Sequence, residues 1–182
     1  MEGASMSKGK KESWEWLKAV VIALVLAFVI RHFLFAPVIV DGESMMPTLE
    51  HNDRMIVNKI SYTFGEPDRF DIIVFHAPAG KDYIKRVIGL PGDTIEYRED
   101  VLYVNGEAIP EPYLDELKQA YDGDRLTRDF QAVTVPDDEL FVLGDNRGRS
   151  KDSRDIGTID IDEVIGKANV VFWPVSNIRI AN

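Results

Sequence analysis

Three stretches of the sequence carry side chains suited to nucleophilic and acid–base chemistry. "GESMMPTL" (42–49) sets Ser44 beside two methionines and just ahead of Pro47. A serine hydroxyl is a weak nucleophile until a neighbouring base takes its proton. The histidines, His32, His51 and His76, have no ligand-like spacing, which leaves lysine and carboxylate as the available bases. "YIKRVIGLPGD" (83–93) supplies Lys85. In a strand, Tyr83, Lys85 and Val87 share one face, while Ile84, Arg86 and Ile88 share the other. A lysine bracketed by Tyr and Val is a candidate for desolvation, which lowers its pKa by up to about 3–5 units and yields a neutral amine near pH 7. The plainer reading has the amine reaching water, and alternation alone favours it, because Arg86 has an equally apolar bracket. "LGDNRGRSKDSRDIGTI" (143–159) crowds Asp145, Asn146, Arg147, Ser150, Asp152 and Arg154 between glycines. Such runs are usually solvated loops, and they can also form networks that orient a base. Ser44 too reads as either a turn residue before a proline or a nucleophile. Flexible methionines beside it are suited to lining a pocket that excludes water.

Composition removes several other chemistries. The 182 residues contain no cysteine, which excludes disulfides, thiolate metal sites and a cysteine nucleophile. A formal charge of −10 argues against a nucleic-acid partner, which calls for a basic footprint. Neither a GxxxxGK phosphate loop nor an N-x-[ST] acceptor occurs. With 45% hydrophobic and 29% charged residues, and no repeat, the chain is long enough for one well-packed domain.

The elements that must position these residues begin with "WEWLKAVVIALVLAFVIRHFLF" (14–35), apolar without interruption over 19–30. The whole segment has the length of a membrane-crossing helix, about 20 residues. Trp14 and Trp16 suit the interface, and Lys18, Arg31 and His32 can snorkel to the headgroups. A cleaved leader would show a small-x-small site after its core, and "RHFLFAP" has none. Lys8, Lys10 and Lys11 lie before the segment, so the positive-inside rule makes residues 1–13 a cytoplasmic tail, 14–35 a single span and 36–182 an extracytoplasmic domain. That outer part is rich in short Val, Ile, Phe and Tyr runs separated by Gly, Pro, Asp and Asn. Strands are predicted over 38–40, 54–59, 71–75, 82–89, 94–97, 101–110, 131–135, 139–145 and 164–173. Asn105-Gly106 marks a hairpin. Residues 111–130 read as a charged, irregular surface insertion with one helical turn. The expected fold is mainly β, with antiparallel sheets following one N-terminal transmembrane helix.

Taken together, "GESMMPTL", "RFDIIVF", "YIKRVIGLPGD" and "GDNRGRSKDSRDIG" behind an N-terminal anchor closely resemble the bacterial type I signal peptidases, membrane-bound Ser/Lys endopeptidases of peptidase family S26. The single anchor and small outer domain are similar to the Gram-positive branch. The resemblance implies Ser44 as nucleophile and Lys85 as general base. It implies Ser150 and Asp152 as residues that orient the amine, with Arg154 paired to Asp152, and Asp145, Asn146 and Arg147 as braces of the loop. Val38, Val40, Met45, Leu49, Met55, Val74, Tyr83 and Ile84 fall where that family lines two shallow pockets for the small residues before a signal-peptide cleavage site (Ala-x-Ala-like). The implied partners are secretory preproteins and the lipid bilayer, at the plasma membrane, without metal or cofactor. Gly42 stands where some members have an oxyanion-binding serine, so the implied oxyanion donors are backbone N–H groups, that of Ser44 and either that of Gly42 or a water. A self-cleaving LexA-like repressor would need a DNA-binding helix pair in place of the anchor. A penicillin-binding enzyme would need S-x-x-K in the outer domain, whereas the match here is Ser5-Met6-Ser7-Lys8. A tethered, non-catalytic binding module is the remaining alternative; a serine-directed acylating probe on Ser44 separates it from an enzyme.

Overall fold

The computed structural model describes residues 5–29, 34–62, 65–78 and 80–181. It opens with helix α1 (Ser5–Val29). Every side chain described in it, over 12–28, is exposed. Among the described residues no helix is long and apolar enough to cross a membrane. Glu12, Glu15 and Lys18 charge the N-terminal part of α1, and the expected span continues through 30–33, so Arg31 and His32 lie outside the described residues.

Twelve strands follow among the described residues: β1 (Phe35–Ile39), β2 (Arg54–Asn58), β3 (Ile72–Ala77), β4 (Lys81–Gly89), β5 (Thr94–Arg98), β6 (Val101–Val104), β7 (Glu107–Ile109), β8 (Phe130–Thr134), β9 (Glu139–Leu143), β10 (Ile159–Asp160), β11 (Val164–Trp173) and β12 (Arg179–Ile180). All pairings are antiparallel. The larger sheet runs β1-β2-β11-β3-β4-β9-β10 with β12 beside β11, and the smaller runs β7-β6-β5-β8. The mainly β expectation is met, and each predicted strand has its counterpart. Asn105 and Gly106 form the β6–β7 turn, both with positive φ. β10 and β12, two residues each, had no periodic signal to announce them.

Three apolar clusters hold the sheets together. One lies under β1, β2 and β11, built on Val40, Met45, Leu49, Met55, Val57 and Val171. A second joins the smaller sheet to β4 and β9 through Ile88, Ile95, Tyr97, Leu102 and Phe141. The third backs β3, β4 and β9 through Ile73, Phe75, Val87 and Val142. Between β3 and β9, strand β4 is covered on both faces, so Lys85 and Arg86 are both buried although they point oppositely.

Residues 111–130 are not a mere surface insertion. A 3-10 turn at Pro112–Leu114 leads into helix α2 (Asp115–Ala120). Glu111, Leu114, Leu126 and Thr127 are buried. The segment looked irregular because its anchors are few and lie far apart in sequence, too sparse to produce a period.

Candidate active site

Ser44 lies in the turn after β1, which Gly42 opens with φ +105°, a conformation costly to a residue bearing a Cβ. The turn is tied to the loop after β9. Asn146 N–H donates to Ser44 O at 3.0 Å, and Asn146 Nδ2 donates to Glu43 O at 3.0 Å. Thr48 Oγ1 donates to Asp145 Oδ2 at 2.5 Å. Asp145 also accepts both arms of the buried Arg86 guanidinium, Nε at 2.9 Å and Nη2 at 2.7 Å. This bidentate pair locks β4 to the loop at the level of the serine. Asp145 and Asn146 thus sit where a brace is needed.

Lys85 Nζ lies 2.8 Å from Ser44 Oγ and donates to Ile84 O at 2.8 Å. The residue is 3% exposed, with Nζ 5.2 Å from the Tyr83 ring centroid, the face that strand alternation assigned to both. Burial pushes the amine down from 10.5 to about 8, against the Asp152 and Asp145 carboxylates, which hold it up. Desolvation wins, and a minor neutral fraction, about a tenth, is available near pH 7.

The buried amine makes folding stability depend on pH. Below pH 8 both states carry the proton, and folding bears the cost of burying a cation. Between about 8 and 10.5 the unfolded chain binds more protons, so that cost fades as pH rises. Lys85→Met is therefore expected to be more stable than the parent at pH 7, by about 2–3 kcal/mol, and the gap to close toward pH 10.5. Denaturant midpoints across that range check it; a gap independent of pH would show that the amine is not desolvated.

The loop from Gly144 to Arg154 lies behind the amine. Asp152 is fully buried and caps the short helix α3 (Ser153–Ile156). It accepts Arg154 Nε and Nη2, each at 2.8 Å, and the Gly144 amide at 3.0 Å. Burial alone would raise its carboxyl, but the Arg154 bonds and charge, the Gly144 amide and the nearby Ser150 hydroxyl keep it below its ordinary value. Asp152 thus reaches Lys85 by charge rather than by a hydrogen bond. The Ser150 hydroxyl is buried and makes no hydrogen bond of good geometry among the described residues. It rests on Gly144 instead, where an added Cβ would meet Ser150 Oγ at 2.2 Å and Ser44 O at 2.4 Å. Gly144 therefore serves by its lack of a side chain, a requirement visible in sequence only as one more loop glycine.

A cleft of about 470 Å³ opens beside Ser44 and Lys85. Val38, Val40, Met45, Val74, Tyr83 and Ile84 line it. Leu49 and Met55 do not: they lie fully buried in the layer beneath, shaping the floor without reaching it. The cleft also has a charged rim that no motif announced, comprising Asp41, Glu43, Asp82, Arg149 and Lys151. Ser44 N–H donates to no group among the described residues, whereas Gly42 N–H donates to His51 Nδ1 at 3.1 Å.

The comparisons with known proteins agree with this geometry. Residues 13–173 match the family model "Signal peptidase, peptidase S26". The chain is 47% identical to signal peptidase I S of Bacillus subtilis (strain 168), covering 100% of both chains. It is 49% identical to signal peptidase I of Bacillus caldolyticus over 93% of this chain and 96% of that one. With signal peptidase IB of Staphylococcus aureus the identity is 42%, over 93% and 94%. A crystal structure of a signal peptidase I from Enterococcus faecalis V583 superposes with a TM-score of 0.53 at 45% identity, covering 57% of this chain and 97% of that one. With motifs, fold and relatives in accord, the chain belongs to the signal peptidases of peptidase family S26, and it is a peptidase.

Proposed function

We propose that this chain removes signal peptides from exported preproteins with a Ser44–Lys85 dyad, cleaving after small residues at the outer surface of the cell membrane. The 2.8 Å approach of Lys85 Nζ to Ser44 Oγ, at the end of an apolar cleft, carries the reading. Neutral Lys85 takes the hydroxyl proton as Ser44 Oγ bonds to the scissile carbonyl carbon. The ammonium then returns a proton to the leaving amine, which departs as the new N-terminus. A water, deprotonated by the restored amine, hydrolyses the ester and frees Ser44. Ser44 N–H is the oxyanion donor best placed by its lack of another acceptor; Gly42 N–H, held by His51, is already engaged.

Substrate enters as an extended strand. β1 ends the larger sheet, and the part of β4 before Arg86 pairs with β3 but has no partner in β9. β1 and this part of β4 thus flank the cleft with outer edges able to pair with an inserted strand. The apolar walls of Val38, Val74 and Ile84 suit small apolar side chains.

The anchor belongs to the same proposal. α1 exposes Val20, Val21, Ile22, Leu24, Val25, Leu26 and Phe28, each at least half accessible, all around its axis. Such a surface favours a bilayer, with Trp14 and Trp16 at the interface and Lys8, Lys10 and Lys11 on the cytoplasmic side. The catalytic domain then lies outside, with Ser44 no more than roughly 30 Å of extended chain from Phe35.

The test is incubation of the purified chain with a preprotein in detergent or lipid, followed by sequencing of the new N-terminus. A single cut after a small residue is expected. No cleavage, or cleavage scattered along the preprotein, would overturn the reading.

A further inference from the structure

The loop that backs Lys85 is itself held from behind by a buried ion pair. Arg147 is 2% exposed, and its guanidinium keeps its charge at any accessible pH, so it must be matched by an anion. Among the described residues the matching carboxylate is Glu111, 36 positions away, whose Oε1 accepts Arg147 Nη2 at 2.6 Å. Glu111 is itself 5% exposed. Its oxygens also accept the Tyr113 hydroxyl at 2.7 Å and the Tyr97 hydroxyl. Lys118, in α2, stands 3.9 Å away and is the other cation near it.

From Arg147 the grip passes to the catalytic loop in two ways. Arg147 Nε donates to Gly144 O at 3.1 Å, while the amide of Gly144 holds Asp152. The carbonyl of Arg147 accepts Arg154 Nη2 at 2.8 Å, and Arg154 holds Asp152 by two bonds. The remaining donors of the guanidinium go to Thr127 Oγ1 at 3.2 Å and to Tyr97 and Tyr113. Gly144 is also the surface against which Ser150 and the carbonyl of Ser44 lie.

Resting on the Ser44–Lys85 reading, we propose that Glu111 is a positioning residue for catalysis: by fixing Arg147 it holds Gly144, Asp152 and Ser44 in register and keeps water from Lys85. Without its anion, the buried guanidinium must move toward solvent, since a lone buried charge is not tolerated. Gly144 and Arg154 then lose their anchors, the wall behind the amine loosens, and water reaches Nζ. A rehydrated amine returns toward its ordinary, higher value. The carboxylates facing it, Asp152 and Asp145, act in the same direction.

Glu111→Gln keeps the size of the side chain and removes its charge. Turnover of a preprotein is measured against pH, per active site counted with a serine-directed acylating probe, so that unfolded enzyme does not contribute. The acid limb of kcat is expected to move up by about one pH unit, equivalent to ~10-fold less neutral amine at pH 7. KM should stay within about twofold, because no cleft residue is changed. Tyr113→Phe, which deletes only a hydroxyl shared by Glu111 and Arg147, should shift the limb the same way by less, and it decides the matter if Glu111→Gln does not fold. A limb at the parent's position in the folded variants, with only a lower unfolding temperature, would overturn the proposal and leave Glu111 a structural residue. Lys85→Ala in the same assay tests the dyad separately: activity there would refute the dyad whatever Glu111 does.

Discussion

Ser44→Ala is expected to abolish preprotein cleavage, with a loss on the order of 10⁶-fold in kcat, the size seen when a catalytic serine is removed. Fold and unfolding temperature should change little, because Ser44 is only partly buried and its carbonyl, the group that anchors Asn146, is retained. Residual cleavage would reflect oxyanion stabilisation and binding, which survive the substitution. Quantified cleavage of one preprotein by parent and variant checks this. A variant within tenfold of the parent would move the nucleophile elsewhere.

Lys85→Arg should be nearly as damaging. A guanidinium stays protonated throughout the working range and cannot take the Ser44 proton. It is also larger, and the lysine site is closed by Tyr83 and the carbonyl of Ile84. Loss of a general base alone costs about 10²–10⁴-fold, so kcat should fall at least that far. KM for the preprotein should change less, because the apolar cleft walls remain. The substitution is informative because it retains positive charge: a lysine that served only to attract substrate or stabilise a developing oxyanion would tolerate it. Substantial turnover by the folded arginine variant would exclude the base role.

The strands were legible because each has a face that must be buried, and period-two alternation writes that need into the residue order. Lys85 is where alternation fell short. It assigns the lysine and Arg86 to opposite faces and therefore favours at least one in water, but apolar clusters cover both faces of β4, one taking in Val87 and the other Ile88. Whether a buried cation is tolerated then depends on partners contributed by distant segments, Asp145 for Arg86 and Ser44 for Lys85. No local window contains those pairings. The family motifs did, because they place the three segments together.

Leu49 and Met55 show the opposite failure. Apolar residues close to the nucleophile suit a pocket, yet whether they face the cleft or the layer under it is decided by how β2 packs on β11, and here both turn inward. The Glu111–Arg147 pair was hidden for a third reason. Each residue stands in a charged, polar stretch that reads as solvated, and only the docking of the 111–130 segment on the smaller sheet makes both of them interior. Gly42, left open by the sequence, has its N–H committed to His51, whereas the Ser44 N–H donates to no group among the described residues.

In the proposed mechanism burial lowers Lys85 far enough for its neutral fraction to deprotonate Ser44. Direct titration of Lys85 Nζ by nitrogen-detected NMR in the full chain, assigned by its loss in Lys85→Met, tests that most closely. A midpoint near 8, well below that of the exposed lysines, is the predicted result. A midpoint at the ordinary lysine value, about 10.4, in an enzyme that cleaves preprotein at pH 7 would contradict it.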